Sequence, residues 1–162
     1  MSQRIGFGGG CHWCTEAVFQ ALRGVQQVEQ GFIQSLPPDD AYSEAVLVSF
    51  DPDVIQLADL IEVHLRSHAS TSQHTMRGKY RSAIYVFSPN QDREANAILT
   101  HLQQDFEAPI VTRVFPYAGF KASQERFRNY FKRNSEKPFS KNYIDPKIDK
   151  LRANYSELLD NI

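Results

Sequence analysis

The 162-residue chain has only two cysteines, two methionines and one tryptophan. So few cysteines exclude a disulfide-stapled secreted scaffold. Because they stand three apart, at 11 and 14, they point to redox chemistry or metal binding in a reducing compartment. Neither sign of charge prevails: 18 Lys and Arg against 19 Asp and Glu leave a formal charge of −1. That balance provides no electrostatic footprint for nucleic acid or an anionic membrane, and neither is expected as a partner. There is no uncharged run of about 18 apolar residues, and the opening Met-Ser-Gln-Arg-Ile-Gly lacks the basic head and apolar stretch of a secretion signal. The expectation is a soluble cytoplasmic protein. Repeats, low-complexity tracts and interdomain linkers are also missing, so 1–162 reads as a single domain, expected to be monomeric.

Hydrophobic periodicity organises the remainder. "QRIGFGGG" is a short apolar strand that breaks into glycines, and "CHWCTEAVFQALRG" puts Ala17, Val18, Ala21 and Leu22 at helical spacing before a stop at Gly24. "VQQVEQGFI" and "EAVLVSF" suit strands separated by the turn-rich "QSLPPDDAY", and "DPDVIQLADLIEVHLRSH" repeats apolar positions as a helix does. The polar stretch from His68 to Gly78 reads as a surface loop. "RSAIYVF" is then a strand, "DREANAILTHLQQDF" a helix, "IVTRVFPY" a strand, and "SQERFRNYFKRN" and "DPKIDKLRANYSELL" further helices. The order predicts an α+β two-layer sandwich, a ferredoxin-like βαββαβ core with additional C-terminal helices.

All the cysteine and tryptophan lies in "GFGGGCHWCTE", residues 6–16. A phosphate loop fits poorly. Cys11 stands where the last glycine of G-x-G-x-x-G belongs, and no Gly-Lys-Ser/Thr follows. A metal site would draw on Cys11, His12, Cys14 and one of His64, His68 or His74, but there is no second C-x-x-C. No bound metal or cofactor is expected. Two thiol readings remain open, a disulfide exchanger and a single nucleophilic sulfur. Both rest on Cys11 at a helix start, where unpaired N–H groups and the macrodipole favour the thiolate. Cys14 lies one turn further on, about 5 Å away by helix geometry and within disulfide reach. Trp13 beside the thiol offers an aromatic wall for a thioether methyl.

"GGGCHWCTEAVF" resembles the G-C-F-W-x-x-E signature of the methionine sulfoxide reductase A family. "GVQQVEQGF", "SEAVLVSFDPDVI", "GKYRSAIYVF" and "YIDPKIDKL" resemble further family segments in the correct order, almost from end to end. The resemblance implies reduction of methionine sulfoxide, free or in oxidised proteins, with preference for the S epimer. It makes Cys11 the nucleophile and Glu44 and Tyr80 the groups that hydrogen-bond and protonate the departing oxygen, a poor leaving group until protonated. Trp13 and His12 become walls of the methyl pocket. Glu16 belongs to the signature too, yet a first-turn acid serves its helix, and Arg81 and Ser82 are left as structural.

The chain also departs from the family pattern. His12 replaces a phenylalanine, and the loop between the second and third strands is shortened to "QSLPPDDAYSE". Tyr42 replaces the histidine of H-A-E, where it can stand in as a second substrate-binding tyrosine. Around Thr75 the loop before Tyr80 is shorter than usual and without the family's aspartate. Ser140 occupies the place of a C-terminal cysteine. With that thiol missing, Cys14 is the candidate resolving thiol for a Cys11 sulfenic acid, and thioredoxin or another external thiol the reductant. The alternative from another class is a non-catalytic thiol redox or metal sensor using Cys11 and Cys14.

Overall fold

The computed structural model describes residues 2–9, 12–67, 81–124, 128–134 and 136–159, excepting the side chains of His12, Tyr130 and Arg133. Strand β1 is Gln3–Gly8, followed by α1 (His12–Gln20), β2 (Val25–Gln34), β3 (Ser43–Phe50), α2 (Leu57–Arg66) and β4 (Ala83–Val86). Then come α3 (Pro89–Leu102), β5 (Arg113–Pro116), β6 (Gly119–Ala122), α4 (Tyr130–Arg133), a π-helical turn at Ser140–Ile144 and α5 (Asp145–Asn154). The six strands form one sheet in the order β5-β4-β1-β3-β2-β6. Every pairing is antiparallel except β4 with β5.

Strand alternation sorts side chains onto two faces. Ile5, Phe7, Val46, Val48, Phe50, Ile84 and Val86 point to one face, where α1, α2, α3 and α5 cover them with Val18, Phe19, Leu60, Ile61, Ala95 and Leu151. Fully burying each large apolar side chain there contributes about 1.5–3 kcal/mol. On the other face Ile33, Ala45, Leu47, Ala83, Tyr85 and Phe115 form a second core, flanked by Phe87, Tyr117 and Phe120. The sheet closes around this second core because β1 presents glycine there. A Cβ on Gly6 would stand 2.7 Å from Ile33 Cδ1 and 3.0 Å from Tyr85 Cβ.

The α+β class and the β1-α1-β2-β3-α2-β4 order of the core are as the sequence predicts. The sheet is mixed and curls into a half-barrel, which departs from the two-layer ferredoxin-like sandwich expected. Helix boundaries move as well. Ser88 caps α3 by accepting from the Gln91 N–H at 3.1 Å, with Pro89 opening the helix, so α3 begins three residues before the expected Asp92. α2 starts only at Leu57, where the Asp59 carboxylate accepts from the Gln56 N–H at 3.3 Å. Within the expected helix 123–134, the described helical residues are Tyr130–Arg133 alone, and an unanticipated strand, β6, precedes it.

Candidate active site

Three chain segments meet at the end of β1. Gly8 lies opposite Ala45 in β3 and Ala83 in β4, so the start of β3, with Glu44, and the residues leading into β4 flank the point where the chain leaves the sheet toward residue 11. The approach is close. A Cβ on Gly8 would stand 2.8 Å from the Arg81 carbonyl oxygen and 3.3 Å from that of Glu44, which only glycine permits. Gly9 then turns the chain with a φ of 132°, and α1 begins at His12.

The packing below this turn is tight. Phe7 stacks on Phe19 of α1 with centroids 4.7 Å apart and rings 5° from parallel, and it meets the His64 ring of α2 at 4.7 Å. His64, 1% exposed, places Nε2 2.8 Å from the Gly8 carbonyl oxygen. A carbonyl can only accept, so Nε2 carries the proton and donates. The turn that leads to Cys11 is thus gripped from α2.

Glu44 is buried, and alternation along β3 puts its side chain on the face shared by Val46 and Val48, the face α1 covers. Its neighbour Ser43 points to the curled face, where its Oγ accepts from the Arg81 N–H at 2.8 Å. The residue after Tyr80 is therefore tied to the residue before Glu44. The buried Arg81 side chain fixes three more partners. Its Nε donates to the Tyr85 hydroxyl at 3.0 Å, and its Nη2 to the carbonyls of Ile33 at 3.2 Å and Ala41 at 3.1 Å. The guanidinium lies 5.5 Å from the Phe115 ring centroid, a cation–π distance. Burial pushes the Tyr85 hydroxyl above its ordinary pKa, with the Arg81 charge acting against that rise.

Trp13 is half-buried at the start of α1 and meets Phe139 edge-on, with centroids 5.3 Å apart at 87°. Cys14 is buried in the main core. Tyr42 is 41% exposed and leans toward β6: a Cβ on Gly119 would lie 3.3 Å from its hydroxyl, and Lys121 Nζ sits 5.3 Å from its ring centroid. Cys11, Thr75, Tyr80, His68 and His74 lie outside the described residues, as does the His12 side chain, although its backbone opens α1. The expected surface loop at 68–78 also lies outside them. Among the described residues no group of three or more His, Cys, Asp or Glu side chains could hold a metal ion.

Glu16 is a structural anchor, but not as the first-turn acid expected: it lies beyond the first turn of α1 and holds groups outside the helix. It is 1% exposed, and its two oxygens accept from Gln30 Nε2 at 3.0 Å and from the Asn129 N–H at 2.9 Å. Asn129, at a φ of 55°, is also held by Gln20 at 2.7 Å. Ser140 is completely buried and its hydroxyl has no hydrogen-bond partner among the described residues. Arg81 is structural, as the sequence reading has it, whereas His64 is a supporting residue that the sequence reading does not identify. Both side chains act on backbone groups 40 to 56 residues away, which no local motif encodes. A cavity of roughly 690 Å³ between α2 and α5, bordered by Glu62, Arg66, Lys147 and Tyr155, contains none of the sequence-predicted residues. Tyr155 there is pushed up to about 12, first by burial and then by its hydrogen bond to Glu62.

Comparison with known proteins bears on this arrangement. The sequence profile of the family described as peptide methionine sulfoxide reductase matches residues 3–159. The peptide methionine sulfoxide reductase MsrA of Deinococcus radiodurans is 36% identical over 169 residues, covering 94% of this chain and 82% of that one. In structure the chain is similar to Mxr1 from Saccharomyces cerevisiae in reduced form, with a TM-score of 0.74, 23% identity and coverage of 84% of this chain and 87% of that one. The same yeast protein in complex with Trx2 gives a TM-score of 0.64, 23% identity and coverage of 78% and 84%.

Proposed function

The chain belongs to the peptide methionine sulfoxide reductase family, an enzyme family that reduces methionine sulfoxide to methionine, and from that premise we propose that Cys11 is the nucleophile, acting on the S epimer. The Cys11 thiol attacks the sulfoxide sulfur, and Glu44 and Tyr80 hydrogen-bond and protonate the oxygen. That oxygen passes to Cys11, leaving methionine and a sulfenic acid. The Cys14 thiol then displaces water from the sulfenic sulfur, forming a Cys11–Cys14 disulfide. A thioredoxin dithiol reduces this disulfide by exchange, a partnership of the kind seen for the yeast protein with Trx2. The fold for this chemistry is the βαββαβ element order with the nucleophile at the β1–α1 turn, in a cytoplasmic monomer.

The observation that carries this reading is the meeting of three backbones at Gly8. A Cβ on Gly8 would meet the carbonyls of Glu44 and Arg81, and the Arg81 N–H is bonded to Ser43, which supports a site where the sequence neighbours of Gly8 and Arg81, Cys11 and Tyr80, act with Glu44. Trp13 supplies the apolar wall for the substrate methyl beside this point, with His12 next to it and Tyr42 on the flank. Cys14 stands in the first turn of α1 with its sulfur in the main core, three residues from Cys11 in sequence. The test is methionine formation from each sulfoxide epimer with thioredoxin, thioredoxin reductase and NADPH. The S epimer alone should turn over, and Cys11→Ser should abolish it. If wild type and Cys11→Ser are equally inert while zinc binds stoichiometrically, the chain is a thiol or metal sensor instead.

A further inference from the structure

The aromatic wall does not stop at Trp13. Phe139 stands edge-on to the indole at 5.3 Å, and the Tyr143 ring lies 5.1 Å beyond Phe139 at 37°. Phe139 immediately precedes the π-helical turn and Tyr143 lies four residues later, so the turn sets the two rings side by side. Buried Ser140 and Ile144 anchor the same turn from beneath. Such wide turns recur at functional sites. Exposure rises along the row. Trp13 and Phe139 are half-buried, whereas Tyr143 is 60% exposed, more than any other large apolar side chain among the described residues. The Lys141 charge of the same turn is paired, its Nζ 2.9 Å from Glu136 Oε2. The row therefore favours apolar over charged neighbours.

We propose that Trp13, Phe139 and Tyr143 form an aromatic shelf that holds the polypeptide flanking an oxidised methionine and selects an apolar or aromatic side chain about three residues from the sulfoxide. The assignment rests on the reading of Trp13 as the wall of the substrate methyl. From Trp13 to Tyr143 the row spans up to about 10 Å by its two ring separations, which an extended chain covers in about three residues at 3.3–3.6 Å each. The occupant assigned is an extended segment; a helix, rising about 1.5 Å per residue, would place the contacted side chain about seven residues away instead. Tyr143 acts as a specificity residue that does not touch the reacting atoms.

The test compares free methionine sulfoxide with two sets of short peptides, in which Phe or Asp stands three residues from the sulfoxide on either side. Wild type should favour a Phe peptide over its Asp counterpart by about five-fold in kcat/KM, the scale of one aromatic contact. Tyr143→Ser should erase that preference while leaving turnover of free methionine sulfoxide unchanged, and Tyr143→Phe should retain it. Equal use of Phe and Asp peptides by wild type, or an equal loss on free and peptide substrates in Tyr143→Ser, overturns the shelf. Absence of turnover of every sulfoxide by wild type instead overturns the functional reading on which the shelf rests.

Discussion

The two faces of the sheet are built from different materials. Beneath the helices the interior is largely apolar, and the buried polar side chains Glu16, Gln30, Glu44 and His64, among others, lie around α1 and the β1 turn. Inside the curl, a guanidinium sits among Tyr85, Phe115 and backbone carbonyls, tying β2, β4 and the segment before β3 together. The helix face thus carries the candidate chemistry, and the curled face sets the spacing of the segments that bear it. Substitutions on the two faces should accordingly fail in different ways: loss of turnover in a stable protein on the first, loss of stability on the second.

The strongest separation is expected at Glu44. Glu44→Gln keeps the side chain's volume and should lower kcat/KM by about 10²-fold or more, the usual scale for loss of a positioned proton donor, with an unchanged urea midpoint. Arg81→Leu should do the reverse at first order. It leaves the Tyr85 hydroxyl and the Ile33 and Ala41 carbonyls without their donor, for a loss of about 3 kcal/mol in urea unfolding. His64 lies between the two cases. His64→Phe retains the ring against Phe7 but not the donor to Gly8, so kcat should fall about five-fold with KM unchanged, together with a loss of about 1 kcal/mol. His64→Gln, with an amide N–H in reach of the same carbonyl, should recover most of the rate.

Smaller effects sharpen the contrast. Ser140→Ala removes a buried hydroxyl without a partner among the described residues and should stabilise the fold by about 1 kcal/mol, measured by denaturant titration. Tyr85 and Tyr155 both titrate above the ordinary 10.0 in the folded protein. Above that value the unfolded chain has lost protons that the native one retains, so stability is complete below about pH 10 and declines as pH rises further. Urea midpoints at about pH 9 and about pH 11 should show that decline, and Tyr155→Phe should reduce it.

Much of this was legible in the sequence, and what was hidden has a common physical cause. Alternation in "RIGFG" and "EAVLVSF" specifies two-sided strands, and the 3.6-residue period of "LADLIEVHL" specifies α2. The cysteine segment and its companions identify the family. β6 escaped because "GFKA" is four residues long and opens with glycine, too short for a period to register. The curl escaped because it depends on Gly6 making room for Ile33, a contact across two strands. Arg81 and His64 resemble ordinary polar residues locally. Their partners, Ser43, Ala41, Ile33 and Gly8, are remote in sequence and are engaged mostly through backbone atoms. Cores announce themselves by periodicity, whereas side-chain clamps on distant backbone do not.

The central claim is that one sulfur takes the oxygen at the end of β1. It is tested most directly by mixing the reduced protein with one equivalent of methionine S-sulfoxide, without external reductant, and measuring both released methionine and the mass of the peptide carrying residues 11 and 14. The account predicts one methionine per chain and a Cys11–Cys14 disulfide, replaced in a Cys14→Ser variant by a sulfenic acid on Cys11. Methionine released in equal amount by Cys11→Ser, or no methionine from the wild-type protein, would contradict it.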